Sequence, residues 1–260
     1  MIQVKKIQIP ALPTEQPRRL YVYLPRDYAR SGRRYPVLYM FDGHNVFYDS
    51  HATYGKSWGM KEFLTKTRLP LLVVAVECSH EGNRRLNEYA PWDFQCDWGS
   101  FEGLGRLTLD WMTQTLKPRI DREYRTLPDR EHTLIAGSSM GGLMTLYAMT
   151  AYNGVFSRGA ALSPSLWAGG AHLPALIRQT CLAAPTRIWM DLGSGELPPE
   201  EHPELAALFE TAAALTASGA EVSAMTVPGA LHNEAAWERR IPWFMDYLRS
   251  DPEGAEAASR

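Results

Sequence analysis

Apolar and polar positions change their spacing along the chain in a regular way. Two opening segments, Lys5–Ile9 and Arg19–Leu24, alternate between apolar and polar residues, which predicts an antiparallel pair of strands. Further strands are predicted after this pair, and the apolar run over Tyr35–Phe41 is continuous, as expected for a strand that is buried on both faces of a sheet. We predict these strands at Tyr35–Phe41, Leu71–Val76, His132–Ala136, Gly159–Ser163, Thr186–Leu192 and Glu221–Val227.

Segments of helical character separate most of these strands. The segment from Glu77 to Gly99 shows no regular pattern, and its aromatic content favours an ordered loop. The alternation of strands and helices predicts an α/β fold with a mostly parallel central sheet flanked by helices. The predicted helices are Trp58–Thr67, Ser100–Glu123 with a kink near Pro118, the segment after Gly141, Pro174–Cys181, His202–Ser218 and Glu234–Arg249.

Composition favours one globular domain. The 260 residues are 45% hydrophobic and 22% charged, with a net charge of −2. We predict a single domain over residues 1–250 and a polar tail over residues 251–260. The near-neutral charge argues against nucleic acid or an anionic membrane as a partner. The first residues lack the apolar core of a signal peptide, so we expect a cytoplasmic protein, and the sequence leaves a homo-oligomer open.

Cysteine and histidine spacing predicts neither disulfides nor a metal site. The three cysteines, Cys78, Cys96 and Cys181, are an odd and sparse set, and we expect buried or partly buried free thiols. His44 and His51 are close in sequence but lack a third ligand at suitable spacing. We therefore expect no metal and no organic cofactor.

The strongest chemical signal is Gly137-Ser138-Ser139-Met140-Gly141, between a predicted strand and a predicted helix. This pattern is typical of a nucleophile elbow, a tight turn that points a serine hydroxyl out of the sheet. The flanking glycines suit a turn in which backbones approach too closely for a side chain. Ser139 is the central residue and the predicted nucleophile, whereas its neighbour Ser138 is the alternative.

A base and an acid are expected at later strand exits. His232 follows the last predicted strand, and its imidazole can take a proton near neutral pH. Asp191 and Glu196 both lie near the end of the preceding strand. We favour Glu196 because it has the longer reach and lies in the loop. The order of serine, acid and histidine is that of the α/β-hydrolases.

An oxyanion hole and a substrate wall complete the predicted site. Met140, directly after the serine, is expected to supply one backbone N–H, and His44 in the turn after an early strand the other. Among the aromatic residues, Trp167 and Trp92 are the candidates for an acyl or aryl pocket. Arg84 and Arg85 are interpreted as loop-pinning partners of Glu88 rather than as substrate ligands.

Several motifs together resemble the putative-esterase family, which includes esterase D, feruloyl and acetylxylan esterases, enterochelin esterases and mycolyltransferases. The resemblance implies an α/β-hydrolase fold without a large cap domain, a Ser139–Glu196–His232 triad and an oxyanion hole at His44 and Met140. His44 stands where glutamine is common in the family. The matching segments are Tyr35–Phe47, Arg84–Pro91, Gly137–Gly142, Ser163–Trp167, Gly193–Glu196 and Gly229–Glu234.

The sequence thus predicts a serine carboxylic-ester hydrolase that acts through an acyl-enzyme on a small acyl or aryl ester, of the feruloyl- or acetyl-sugar type. An acyltransferase to a sugar or alcohol acceptor is the nearest alternative, because the same triad serves both reactions. A non-catalytic binding module that retains the fold is a third, less favoured interpretation.

Overall fold

The computed structural model describes residues 1–13, 16–198 and 202–250, so the predicted tail over residues 251–260 lies outside the described residues. The described residues form ten strands. They are β1 (Ile2–Ile7), β2 (Arg18–Tyr23), β3 (Val37–Met40), β4 (Leu72–Val76), β5 (Phe94–Cys96), β6 (Gly99–Phe101), β7 (Thr133–Ser138), β8 (Arg158–Leu162), β9 (Arg187–Gly193) and β10 (Glu221–Val227).

Eight strands make one sheet in the order β1-β2-β4-β3-β7-β8-β9-β10, and β5 and β6 form a separate hairpin. β1 and β2 pair antiparallel, and β2 pairs antiparallel with β4. All later pairs in the large sheet are parallel. The predicted opening pair and the predicted mostly parallel α/β sheet are therefore confirmed.

Helices cover both faces of the sheet. They are α1 (Met60–Thr67), α2 (Arg84–Glu88), α3 (Gly105–Trp111), α4 (Lys117–Glu123), α5 (Met140–Ala151), α6 (Leu166–Gly169), α7 (His172–Arg178), α8 (Pro203–Ala217) and α9 (Glu234–Arg249). No helix among the described residues combines the length and the apolar character needed to cross a bilayer. The cytoplasmic location stays a prediction.

The apolar runs are explained by burial on two sides. In β4, Leu72, Val74 and Val76 pack into one core, while Val73 and Ala75 pack into the other. Helices α5 and α8 contribute to the first core, and α1 and α9 to the second. Burying an aliphatic side chain completely stabilises the fold by about 1.5–3 kcal/mol. The parallel strands end at one edge of the sheet, where ligands of such folds bind.

Two segments differ from the sequence prediction. The stretch predicted as an irregular loop contains α2 and most of the β5–β6 hairpin, and the helix predicted from Ser100 begins at Gly105. The kink predicted near Pro118 is a π-helical turn over Met112–Leu116, directly before α4. Proline has no N–H to donate, which suits the start of α4 and disrupts the regular ladder before it. Cys181 is exposed, contrary to expectation.

Candidate active site

Ser139 occupies a strained turn between β7 and α5. Its φ is 57° and its ψ is −124°, a conformation that costs a residue with a side chain about 1–3 kcal/mol. The turn is tight because a Cβ on Gly137 would lie 2.6 Å from the backbone of Gly141. This geometry is the predicted nucleophile elbow, and it places Ser139 at the end of the sheet where the strand exits meet.

The two adjacent serines differ in their surroundings. Ser138 is the last residue of β7, paired with Leu162 and only 5% exposed. Ser139 is half-buried, and its hydroxyl lies 3.3 Å from Ser165 Oγ. Both residues line a cavity of about 690 Å³ that His232 also lines. Ser139 also lines a second cavity of about 480 Å³.

His232 contacts an acid directly. Its Nδ1 lies 2.6 Å from Glu196 Oε2, and the side chain of Glu196 is 6% exposed, while that of His232 is 45% exposed. Glu196 belongs to a 3₁₀ turn that follows β9, and His232 follows β10. The two loops touch, because Gly195 N–H donates to Ala230 O at 3.0 Å. A carboxylate at this position fixes the tautomer of the imidazole and stabilises its charged form.

The environment of Glu196 keeps it ionised. Burial by itself raises the pKa of this carboxyl, but the hydrogen bonds from His232 and Ser163 outweigh burial, and the pKa lies below its usual value. Gly193 N–H donates a further hydrogen bond to Oε1 at 2.9 Å. Glu196 can therefore act as the anionic partner of His232 throughout the neutral range.

Asp191, the other candidate acid, points elsewhere. It is 0% exposed and accepts hydrogen bonds from Arg240 Nη1 at 2.6 Å and from Trp189 Nε1 at 2.8 Å. Of the two candidates, the structure brings Glu196 and not Asp191 to the imidazole. Arg240 was not among the predicted residues, although the sequence carries a signal for it. Arg240 is a charged residue inside the apolar stripe of α9 that includes Trp237, Ile241 and Phe244.

The two backbone N–H groups predicted for the oxyanion hole belong to different elements. Met140 is the first residue of α5, and His44 lies in a 3₁₀ turn over Gly43–Asn45. Neither N–H group makes a hydrogen bond within the described part of the chain. Gly43 is required at this turn, because a Cβ there would lie 2.7 Å from the backbone of Ala75. The arrangement suits the predicted oxyanion hole.

The side chain of His44 is buried. Burial lowers the pKa of His44 to about 4, so the imidazole is neutral near pH 7. Its Nε2 lies 3.0 Å from Thr53 Oγ1. These observations agree with a role for the His44 backbone rather than for its side chain. If only the backbone is needed, histidine can replace the glutamine that is common in the family without loss of the oxyanion hole.

Arg85 pins the turn that carries His44. Its Nε and Nη2 each donate to a different carboxylate oxygen of Asp42 at 2.7 Å, and Asp42 has a left-handed φ of 53°. The predicted pairing of Arg84 and Arg85 with Glu88 is therefore wrong in its partners. Glu88 pairs with Arg18, and Arg84 pairs with Glu81. Arg85 forms its ion pair with Asp42 instead.

Potential metal-ligating side chains lie beside the first cavity. His51 is not among the side chains that lie close enough together to share a metal ion, and its Nδ1 lies 3.0 Å from the hydroxyl of Tyr21. The carboxylate of Glu77 already accepts from Arg19, and that of Asp42 from Arg85, so we assign no metal here. The two groups, each with ligand atoms within 4.8 Å of one another, are Asp42, His44 and Cys78, and His44, Glu77 and His80.

The aromatic wall differs in part from the prediction. Trp167 lines the second cavity, as predicted, together with Trp98. Their rings meet edge to face at 6.0 Å. Trp92 lines neither cavity next to Ser139 and instead packs on Tyr147 and His172. Trp98 was not predicted in the wall because its position depends on the β5–β6 hairpin, which the residue pattern did not reveal.

Sequence comparison agrees with this geometry. The family described as "Putative esterase" matches residues 12–247, and the chain belongs to this family of α/β-hydrolases. It is a carboxylic ester hydrolase by family membership.

Individual relatives are distant. The protein YbbA of Bacillus subtilis (strain 168) is 27% identical over 186 residues, which cover 69% of each chain. Esterase MT1326 of Mycobacterium tuberculosis (strain CDC 1551 / Oshkosh) is 32% identical over 136 residues, 52% of this chain and 26% of the relative. The chain thus matches about a quarter of that esterase. An IroE-like serine hydrolase from Shewanella oneidensis has the same fold, with a TM-score of 0.74 at 21% identity, over 96% of this chain and 79% of that one.

Proposed function

We propose that this protein is a serine esterase that hydrolyses small acyl or aryl esters through an acyl-enzyme. The observation that carries the proposal is the 2.6 Å contact between His232 and Glu196 at the rim of the cavity that holds Ser139. The strained backbone of Ser139 supports it, because such strain persists where the surrounding structure and function require it.

The reaction follows from the roles of these groups. His232 takes the proton of Ser139 as the hydroxyl oxygen attacks the ester carbonyl, and Glu196 stabilises the resulting imidazolium. The N–H groups of Met140 and His44 stabilise the negative charge on the carbonyl oxygen. His232 then protonates the leaving alcohol. In the second half, His232 activates a water molecule that attacks the acyl-enzyme and releases the acid.

The structure favours water over another alcohol as the final acceptor. The side chain of His232 is 45% exposed, so water reaches the base from bulk solvent. An acyltransferase needs to exclude water from its acyl-enzyme, and nothing in the described residues covers His232 in this way.

The two cavities that meet at Ser139 suggest how an ester is oriented. Asn45 and His80 line the first cavity only, whereas Trp167 and Leu192 line the second only. Trp98 lines both cavities. We propose that the second cavity takes an acyl or aryl group and that the first takes a polar alcohol, as in feruloyl or acetyl esters of sugars.

Labelling and turnover test the proposed function together. Wild-type protein should hydrolyse p-nitrophenyl acetate or butyrate, and a fluorophosphonate should attach to Ser139 with loss of activity. Mass spectrometry of the labelled peptide identifies the modified serine. Absence of both turnover and labelling would exclude the esterase mechanism, whereas a label on Ser138 would contradict the assignment of the nucleophile.

Trp167→Ala tests the aromatic wall. We expect kcat/KM for an aryl ester such as methyl ferulate to fall about tenfold relative to that for a small acetyl ester, because the aryl ring loses a packing surface. Trp243→Ala is a matched control, since Trp243 is 49% exposed compared with 47% for Trp167 and lies on α9 outside both cavities. Equal losses for both esters would remove Trp167 from the acyl site.

A further inference from the structure

Ser163 combines a strained backbone with a buried position, and packing alone does not explain why a serine stands there. It follows β8 and has a left-handed φ of 44°, which residues with a Cβ rarely adopt. It is 2% exposed, and its N–H donates to Asp191 O at 2.9 Å. A glycine would relieve the backbone strain at this position. The hydroxyl is therefore the feature that distinguishes serine here.

The neighbours of this hydroxyl determine where its proton points. Trp237 Nε1 lies 3.1 Å from Ser163 Oγ and Arg240 Nη1 lies 3.0 Å from it. Both groups are donors that cannot accept a hydrogen bond, so they occupy the two lone pairs of the hydroxyl. Its remaining partner is Glu196 Oε1 at 2.7 Å. The Ser163 proton must therefore be donated to the carboxylate that contacts His232.

The buried charged groups around Ser163 form a cluster that has one more negative charge than positive charges. Asp191 and Glu196 contribute two negative charges and Arg240 contributes one positive charge. The side chains of Asp191 and Arg240 are 0% exposed. The cluster becomes neutral when His232 is protonated, which is its state when the transition states form. Low-dielectric surroundings strengthen this complementarity.

We propose that Ser163 is a positioning residue of the triad, held by Arg240 and Trp237 so that its hydroxyl orients Glu196 toward His232. Arg240 in turn is fixed by Asp191, which gives the second candidate acid a role outside the reacting atoms. The inference rests on the proposed function only in assigning Glu196 and His232 to catalysis. The hydrogen-bond geometry on which it is built does not depend on the substrate.

Other charged groups also face the imidazole. Glu234 lies on α9, and Arg85 with Asp42 lies on the wall of the first cavity. None of these three contacts Glu196 or Ser163 by a hydrogen bond in the described residues. A change at Ser163 can reach His232 through Glu196 or through Trp237, whose ring packs edge to face on the imidazole at 5.1 Å, and the titration of Glu196 distinguishes the two routes.

Paired substitutions separate positioning from folding. Ser163→Ala and Ser163→Gly both remove the hydroxyl, but only glycine also relieves the strained φ. We expect both variants to lose about 10- to 100-fold in kcat/KM for p-nitrophenyl acetate, with the glycine variant the more stable to heat. We also expect the pKa of Glu196, followed by ¹³C NMR of its carboxyl, to rise in both variants, because the carboxylate loses a hydrogen-bond donor. The acid limb of the kcat/KM profile should then move to higher pH.

Ser157→Ala is the matched control. Ser157 directly precedes β8, is 0% exposed, and its hydroxyl has no hydrogen-bond partner among the described residues. This control should leave both the Glu196 titration and kcat/KM unchanged. Recovery of activity in Ser163→Gly relative to Ser163→Ala would show a purely structural role and overturn the proposal, as would an unchanged Glu196 titration. If wild-type protein hydrolysed no ester, the carboxyl titration would still decide on the positioning of Glu196, while the esterase proposal would fall.

Discussion

Ser139→Ala should lower kcat/KM for p-nitrophenyl esters by at least about 10³-fold, because no other group can form the acyl-enzyme. The residual activity would come from the oxyanion hole and from substrate binding. Burst-free steady-state kinetics and loss of fluorophosphonate labelling would check the result. The stability of the folded state should change little, since alanine has a Cβ and is strained at this φ as serine is.

Ser138→Ala is the control that the chain itself supplies. The substitution is chemically identical and one residue away, but Ser138 is the last residue of β7 and its side chain is buried. We expect most of the activity to remain. A similar loss at both positions would mean that disturbance of the elbow, rather than removal of the nucleophile, explains the effect.

A second large effect is expected on stability rather than on chemistry. Asp191→Asn removes the nearer carboxylate partner of Arg240, at 2.6 Å and 0% exposed, and leaves only the more distant contact with Glu196 at 3.5 Å. Breaking a buried ion pair by removing one partner costs about 3–5 kcal/mol. We therefore expect the free energy of unfolding to fall by about this amount in urea titrations, with little change in the denaturant dependence.

Measuring both kcat and the midpoint of unfolding distinguishes the roles of Asp191 and Glu196. Glu196→Gln should reduce kcat by several orders of magnitude while the midpoint of unfolding changes far less, because Gln retains the hydrogen bonds from Gly193 and Ser163. Asp191→Asn combined with Arg240→Met removes both buried charges and should recover much of the lost stability. Full stability of Asp191→Asn would contradict the assigned role of Asp191.

Sequence patterns predicted the sheet and placed the candidate residues at strand exits because both depend on local order. Ser139 directly follows β7, and His232 lies in the turn between β10 and α9. The carboxyl ends of parallel strands meet at one edge, so the chain order alone brought these residues together. The prediction of Glu196 over Asp191 rested on reach and loop position, and the structure agrees with it.

Features that depend on distant contacts escaped prediction. The hairpin that places Trp98 at the cleft is only three residues long on each side, too short for a periodic signal. Trp92 and Trp98 could not be ranked without it. Similarly, the pairing of Arg85 with Asp42 joins residues 43 positions apart, whereas Glu88 was the nearer acid in sequence. Which charges meet is decided by packing, not by proximity along the chain.

The contact between the loops that follow β9 and β10 has a consequence for engineering. Gly195 lies so close to Ala230 that a Cβ would come within 2.9 Å of its carbonyl oxygen, and Gly229 N–H donates to Ser194 Oγ at 2.7 Å. Acid and base therefore sit on a single joined unit. Loop exchange between family members should transfer residues 193–196 and 229–232 as a pair, since either segment alone would meet a partner of the wrong shape.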